Sequence, residues 1–223
     1  MKTSNKILLS LFAAVITLMS VSAYDLKKQY QKGKKRGFDM ESVNISQFSA
    51  IHIVKHDDTQ FGVKVEYSPK THIRIPQELI DFVKYKVKND TLFVELLPVT
   101  KDGITFYNLQ RDVEVYVPTL ASIYSKNARV FFGLNVPKLT IKLINGANLE
   151  MNSVSKIDSL MLNANQTSMA TIGYGNQVKV LKANFLEQSR LTYLGRITEK
   201  LELNADREAR IEFSGENLKH LRK

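Results

Sequence analysis

Apolar and polar residues alternate with a period of two along the first half of the chain. Apolar side chains occupy every second position in residues 61–67, 83–87, 92–96 and 113–117. This alternation predicts half-buried β-strands, and no window in this half carries a helical stripe. Asn89-Asp90 supplies turn residues, so residues 83–96 are predicted to form a hairpin. Residues 77–82, after Pro76, are predicted to form one short helical turn.

The second half repeats a short pattern about every 20 residues. Each copy has an aliphatic residue, a small residue two positions later, and then Gly, Asn, Asp or Lys. The leading aliphatic residues are Ile123, Leu143, Leu162, Leu181 and Leu203. A repeat of this length is too short for a helix pair and suits one coil of a β-solenoid.

In this interpretation the five aliphatic residues form one inward-facing ladder across successive coils. The small residues would also point inward; they are Ser125, Asn145, Ala164, Ala183 and Ala205. The next residues would take the left-handed backbone of each corner; they are Gly146, Asn165, Asn184 and Asp206. The predicted fold is therefore all-β, with a right-handed parallel β-helix in the second half and more antiparallel pairing in the first. An antiparallel β-sandwich is the alternative, because it also gives short strands at regular spacing.

The N-terminus has the order of a secretory signal peptide. Two lysines precede an apolar run at residues 7–19, and small residues follow up to Ala23. The run is too short to span a membrane, which takes about 20 residues. We predict a signal peptide over residues 1–23, cleaved after Ala23, and a protein exported to the periplasm or the cell surface. The alternative is an uncleaved N-terminal helix. Without a cysteine after the cut, a lipoprotein is not expected.

The rest of the chain is predicted to form a leader and one domain. Residues 24–40 are rich in lysine and arginine and are interpreted as a basic leader or linker, which either spaces the domain or contacts anionic polymers. Residues 41–223 are predicted to form a single β-rich domain. Its parts are a strand and hairpin region (41–118), the solenoid coils (119–217) and a C-terminal cap (218–223) that lays Leu218 and Leu221 on the last coil.

The alternation and the repeat together resemble the auto-transporter adhesin head GIN domain family, a group of exported bacterial proteins. The matching segments run from residue 43 to the C-terminus, and they are residues 48–53, 61–65, 85–94, 113–120 and 145–147. The resemblance implies a β-helical, extracytoplasmic and adhesin-like protein, and it supplies no catalytic residues. This chain departs from the family in having Asn or Asp at most corners where Gly is expected.

The composition removes several kinds of chemistry. With no cysteine there is no disulfide, thiolate metal site or cysteine nucleophile. His52 and His56 lie four strand residues apart, about 13 Å, which is too far to share one ion. We therefore expect no metal and no cofactor. Nucleic acid is not an expected partner despite the net charge of +10, because the chain is predicted to be exported and its basic residues cluster in the leader.

The predicted outward columns of the solenoid do not stack acids. One column reads Lys142, Met161, Val180 and Glu202, and the other reads Ile144, Asn163, Lys182 and Asn204. A polysaccharide-active β-helix enzyme would need paired carboxylates, so it is the least favoured function, with residues 100–108 as the loop where a site could still assemble.

The sequence favours a noncatalytic exported binding or scaffold protein that presents a rigid face to an envelope glycan or protein. Four outward cations favour an anionic partner, and they are Lys142, Lys182, Arg190 and Arg196. The alternative is a structural module of a cell-envelope assembly that works through its ends. The sequence assigns no oligomeric state.

Overall fold

The computed structural model describes residues 17, 19–27, 40–56, 61–98, 100–101, 104–105, 112–215 and 217. The chain divides into two compact units, Met1–Met40 and Glu41–Lys223. In the first unit residues 17 and 19–27 are helical and exposed, and this helical stretch includes Ala23. Within the described residues no helix is long and apolar enough to cross a membrane. Cleavage after Ala23 and the domain limits stay predictions, and the predicted cap at residues 218–223 lies outside the described residues.

Short strands make up the first part of the second unit, as the alternation predicts. The strands are β1 (Met40–Asn44), β2 (Ala50–Lys55), β3 (Val63–Tyr67), β4 (His72–Pro76), β5 (Val83–Lys88), β6 (Thr91–Leu96), β7 (Thr100–Lys101), β8 (Ile104–Thr105) and β9 (Val113–Val117). A 3₁₀ helix at Gln77–Phe82 follows β4, which confirms the predicted helical turn.

Longer and shorter strands then alternate to the end of the described chain. They are β10 (Ser122–Lys126), β11 (Arg129–Gly133), β12 (Val136–Ile144), β13 (Asn148–Met151), β14 (Lys156–Ala164), β15 (Met169–Ile172), β16 (Gln177–Phe185), β17 (Arg190–Tyr193), β18 (Arg196–Ala205) and β19 (Arg210–Phe213). Most inward positions are aliphatic or aromatic and most outward positions are polar, so both sets of strands bury one face in a shared core.

Consecutive strands of the second half belong to two different sheets. A nine-stranded sheet has the order β1-β4-β9-β3-β11-β13-β15-β17-β19, and an eight-stranded sheet has the order β18-β16-β14-β12-β10-β2-β6-β5. From β10 to β19 each strand pairs in parallel with the strand two places further along the chain. Each pass through both sheets therefore advances the chain by one strand spacing, about 4.8 Å.

The all-β prediction is confirmed, and so is the hairpin at residues 83–96. β5 and β6 pair antiparallel around Asn89-Asp90, where both residues have positive φ. β4 also pairs antiparallel with β9, so within the two large sheets the described antiparallel pairs lie in the first half, as expected. The two facing sheets are also compatible with the sandwich alternative.

The predicted ladder of aliphatic residues is wrong by two positions at Leu143 and Leu181. Ile123 pairs with Ile141 rather than Leu143. The ladder then continues through Leu162, Ala183 and Leu203. A shift of two residues leaves each side chain on the same face, so alternation alone cannot detect it. The turn geometry fixes the register instead.

The predicted corner residues are also corrected, because the left-handed residues come one and two positions after Asn165, and three and four positions after Asn184. The left-handed pairs are Asn145-Gly146, Gln166-Thr167 and Glu187-Gln188. Each pair is spanned by a backbone hydrogen bond of 3.2–3.3 Å, as in a type I′ turn. Of the predicted corner residues only Gly146 has positive φ, and Asn184 lies within β16.

The small residues predicted to point inward divide into two groups. Ser125, Ala164 and Ala183 are buried as expected. Asn145 is exposed because it is itself a turn residue, and Ala205 is exposed because β18 is the last strand of its sheet.

Buried asparagines join successive coils at the opposite corner. Asn176 is 1% exposed; its Nδ2 donates to the carbonyl oxygens of Met151 (2.7 Å) and Gly173 (2.9 Å), and its Oδ1 accepts from Ser155 N (3.1 Å). Asn217 makes the equivalent contacts two coils later, with Gly195 O (2.8 Å) and Ile197 N (2.9 Å). These side chains satisfy backbone groups that the turn leaves without a strand partner.

Candidate binding site on the outer face of the eight-stranded sheet

The corrected register brings eight side chains into one line across the outer face of the eight-stranded sheet. This line, named here the outer row, crosses one residue of each strand from β5 to β18. Its members are Lys86, Phe93, His52, Tyr124, Lys142, Asn163, Asn184 and Asn204. The row contains two lysines and no acid.

The first half of the outer row is aromatic. The His52 ring lies between Phe93 and Tyr124, with centroid distances of 5.3 and 4.3 Å. Lys86 Nζ is 5.8 Å from the Phe93 ring and Lys142 Nζ is 5.9 Å from the Tyr124 ring. Burial lowers the pKa of His52, which favours the neutral form of the imidazole. The three rings are half-buried and offer an apolar strip to solvent.

The second half of the outer row is a ridge of amides. Asn163, Asn184 and Asn204 follow one another on β14, β16 and β18, one per strand. Asn204 Nδ2 donates to Asn184 Oδ1 at 2.7 Å, which fixes the orientation of both amides. Each amide has two donor hydrogens and an acceptor oxygen. The hydrogen bond between Asn204 and Asn184 uses one donor and one oxygen, so most donors and acceptors of the ridge can still bind a ligand.

A shallow groove runs along each side of the amide ridge. The first, with a volume of about 310 Å³, has Lys142, Asn163 and Asn184 on one side and Ile144, Asn165 and Leu186 on the other. The second, about 280 Å³, lies between the ridge and the neighbouring line of Met161, Lys182 and Glu202. Both grooves cross the strands, so they follow the direction in which the ridge repeats.

The two grooves differ in whether their lysines form ion pairs with carboxylates. In the second groove Lys182 pairs with Glu202 at 2.8 Å, and Lys200 binds the same carboxylate at 2.6 Å. These two ammonium groups lower the pKa of Glu202 to about 2. In the first groove, no carboxylate of the described chain forms an ion pair with Lys142.

The four cations predicted to contact a partner do not share one surface. Lys142 and Lys182 lie on the outer face of the eight-stranded sheet, on strands two places apart. Arg196 is on the same sheet, at the start of the edge strand β18. Arg190 lies in β17 of the nine-stranded sheet, next to Arg210.

Several acids of the described residues, and one histidine, are held in ion pairs. On the nine-stranded sheet Glu114 accepts from Arg74 at 2.9 Å, and Glu150 accepts from Arg129 at 2.6 and 2.8 Å. His56 contacts Glu95 at 2.9 Å. No group of three or more His, Asp or Glu able to hold a metal ion occurs among the residues that the structure describes. Of the 100–108 loop, residues 102–103 and 106–108 lie outside that part of the chain.

Sequence reasoning placed Asn163 and Asn204 in one column but missed Asn184, and so missed the ridge. The predicted column put Lys182 between them because it carried the two-residue error in register. The signal was present in the tripeptide Leu-Asn-Ala, which occurs at residues 162–164 and again at 203–205. These copies are two coils apart, and the midpoint between them falls at Ala183-Asn184.

The fold and the site together define an all-β protein with two large sheets and an extended row of aromatic and polar side chains on one of them. No family model matches the chain. No curated protein matches it either.

Some solved structures are similar to the chain at low sequence identity. A proposed adhesin from Parabacteroides merdae ATCC 43184 covers 79% of this chain and 95% of its own, with 13% identity and a TM-score of 0.46. A proposed adhesin from Bacteroides fragilis NCTC 9343 covers 79% and 96%, with 13% identity and a TM-score of 0.42. A proposed lipid binding protein from Parabacteroides distasonis ATCC 8503 covers 79% and 94%, with 14% identity and a TM-score of 0.45. These similarities assign no ligand to the chain, and the head GIN domain resemblance stays a prediction.

Proposed function

We propose that this chain is an exported, noncatalytic binding protein that holds a linear glycan along the outer row. The amide ridge carries the proposal, because it repeats the same hydrogen-bonding group once per strand at the edge of two grooves. Asn amides both donate and accept, which suits the hydroxyl groups of a sugar. The proposed export rests on the N-terminal signal-peptide pattern.

The spacing of the ridge favours a glycan over an extended peptide. Neighbouring strands are about 4.8 Å apart, and a pyranose unit has a similar length. An extended peptide instead presents a side chain to one face every two residues, about 6.7 Å. This repeat is longer than the spacing of the ridge amides, so successive peptide side chains would not meet successive amides. The apolar strip of Phe93, His52 and Tyr124 extends the same line and offers a surface for the CH groups of further sugar units.

The rigidity that such a site needs follows from a solenoid, which we propose as the finer description of the fold. Parallel pairing between strands two places apart is the pairing that successive coils require. Parallel connections of this kind are right-handed in nearly all proteins, which supports a right-handed coil. A repeating backbone fixes the distance between the amides before any ligand arrives, so binding loses little conformational entropy.

The other two functions have less support. For the enzyme, a general acid needs a carboxyl group that is protonated near neutral pH, whereas Glu202 beside the ridge has a pKa of about 2. A module that assembles through its ends would pair its edge strand with another molecule, and such a strand should carry few charged side chains. Instead β18 carries Glu199, Lys200 and Glu202, as strands that avoid edge pairing do.

A glycan panel tests the proposal. The chain without residues 1–23 is applied to immobilised neutral and acidic glycans, alongside a variant that combines Asn163→Leu and Asn184→Leu. The matched control combines Thr171→Leu and Thr192→Leu, which changes the outer face of the nine-stranded sheet on two neighbouring strands. We expect the control to bind like the unmodified chain and the ridge variant to lose binding. A chain that binds no glycan, or a ridge variant that binds normally, would contradict the proposal.

A further inference from the structure

We propose that the glycan held by the outer row is acidic, and that Lys142 binds its anionic group in the first groove. The inference rests on the proposed function and narrows it to a substrate class. The shared chemistry is a negative charge carried on a sugar ring, either a carboxylate or a sulfate.

The charge distribution along the outer row supports this assignment. Lys86 and Lys142 lie at the two ends of the aromatic strip, and the outer row contains no acidic residue that could form an ion pair with them. Elsewhere on the two sheets several outward cations form an ion pair with an adjacent acid, as in Lys64 with Glu66 and Arg129 with Glu150. Lys142 is different, since its neighbours in register are Tyr124 and Asn163.

The position of Lys142 also supports the assignment. It lies where the aromatic strip meets the amide ridge, and it forms part of the wall of the first groove. A sugar unit seated beside Asn163 would have its ring substituents within reach of the Lys142 ammonium group, with Ile144 and Leu186 on its other side. The Tyr124 ring near Lys142 Nζ provides a face that favours a cation at this point.

The test compares each acidic glycan with a neutral polymer of the same backbone. The pairs are polygalacturonate with its carboxyl-reduced form, and dextran sulfate with dextran. Affinities of the chain without residues 1–23 are measured by affinity electrophoresis at constant ionic strength. The test variant is Lys142→Gln. The matched control is Lys138→Gln, because Lys138 is also exposed, lies on the same strand about 13 Å away and carries the same charge.

We expect one acidic glycan to bind more tightly than its neutral partner, and the pair that shows the difference identifies the carboxylate or the sulfate. Lys142→Gln should weaken that binding by up to about fivefold, since an ion pair at a solvent-exposed lysine contributes up to about 1 kcal/mol. Lys138→Gln should leave it unchanged. Equal loss in both variants would indicate attraction to the basic chain as a whole and would overturn the inference. Equal binding of acidic and neutral polymers would overturn it too but leave the proposed function standing, whereas failure of all four polymers to bind would count against both.

Discussion

The buried amide of Asn176 gives the sharpest test of how the coils are held together. Asn176→Ala removes two hydrogen bonds that join neighbouring coils, to Met151 O and Ser155 N, and a third within its own turn, to Gly173 O. It also leaves these backbone groups without a partner at a corner where Asn176 is 1% exposed. At about 1 kcal/mol for each bond, with a further penalty for buried groups left unpaired, the loss in unfolding free energy should be about 3–5 kcal/mol.

Asn135 provides a matched control at an exposed site. Its Oδ1 accepts a single hydrogen bond, from Lys156 N at 2.7 Å, and the residue is exposed. Because water can replace this bond, Asn135→Ala should cost about 1 kcal/mol or less. Both variants lose the same side chain, so differences in the unfolded state largely cancel.

Urea unfolding followed by far-ultraviolet circular dichroism measures both variants. We expect the midpoint to fall much further for Asn176→Ala than for Asn135→Ala, with little change in the slope of the transition. If the two variants lost equal stability, the side-chain amides at this corner would not be what joins the coils, and the structural reasoning would be refuted.

Three further predictions follow from the turns and charges. Thr167→Gly should raise the unfolding free energy by about 1 kcal/mol, because a β-branched residue has an unfavourable φ of 62° at this position. Gly146→Thr, at the equivalent position of another turn, should lower the unfolding free energy. Urea unfolding measures both variants. Burial lowers the pKa of His52, so the unfolded chain binds the proton more readily, and the unfolding free energy should fall as the pH drops below about 6.5. His52→Gln should lessen this loss of stability between pH 7.5 and 5. A loss of the same size in the variant would contradict the prediction. Glu202→Gln should release Lys182 and Lys200 and strengthen binding of the acidic glycan a few-fold in affinity electrophoresis, whereas weaker binding would count against a role for positive charge beside the ridge.

Alternation of apolar and polar residues was enough to predict the strands and their buried faces. The hairpin at residues 83–96 was also predictable, because Asn89-Asp90 is a strong local turn signal. These features depend on neighbours in sequence, and the inward or outward direction of each side chain follows from a period of two.

Register between coils could not be predicted from the same pattern. A two-residue slip, as at Leu143 and Leu181, keeps every side chain on its face and changes only the neighbour across the strands. The turns that decide the register use Gln166-Thr167 and Glu187-Gln188, which are not usual left-handed residues. The candidate site could not be predicted for the same reason, since the three asparagines line up only when the register between strands is correct.

The side-chain amide signals of the asparagines test the central claim most directly. In amide-resolved NMR titrations with two soluble acidic glycans, oligogalacturonate and a sulfated dextran oligosaccharide, the Nδ2 hydrogens of Asn163, Asn184 and Asn204 should shift together and saturate at one concentration of the glycan that binds. The buried amides of Asn176 and Asn217 serve as internal references and should not move. Shifts confined to residues away from the outer row, or no shifts among the three ridge amides, would contradict the account.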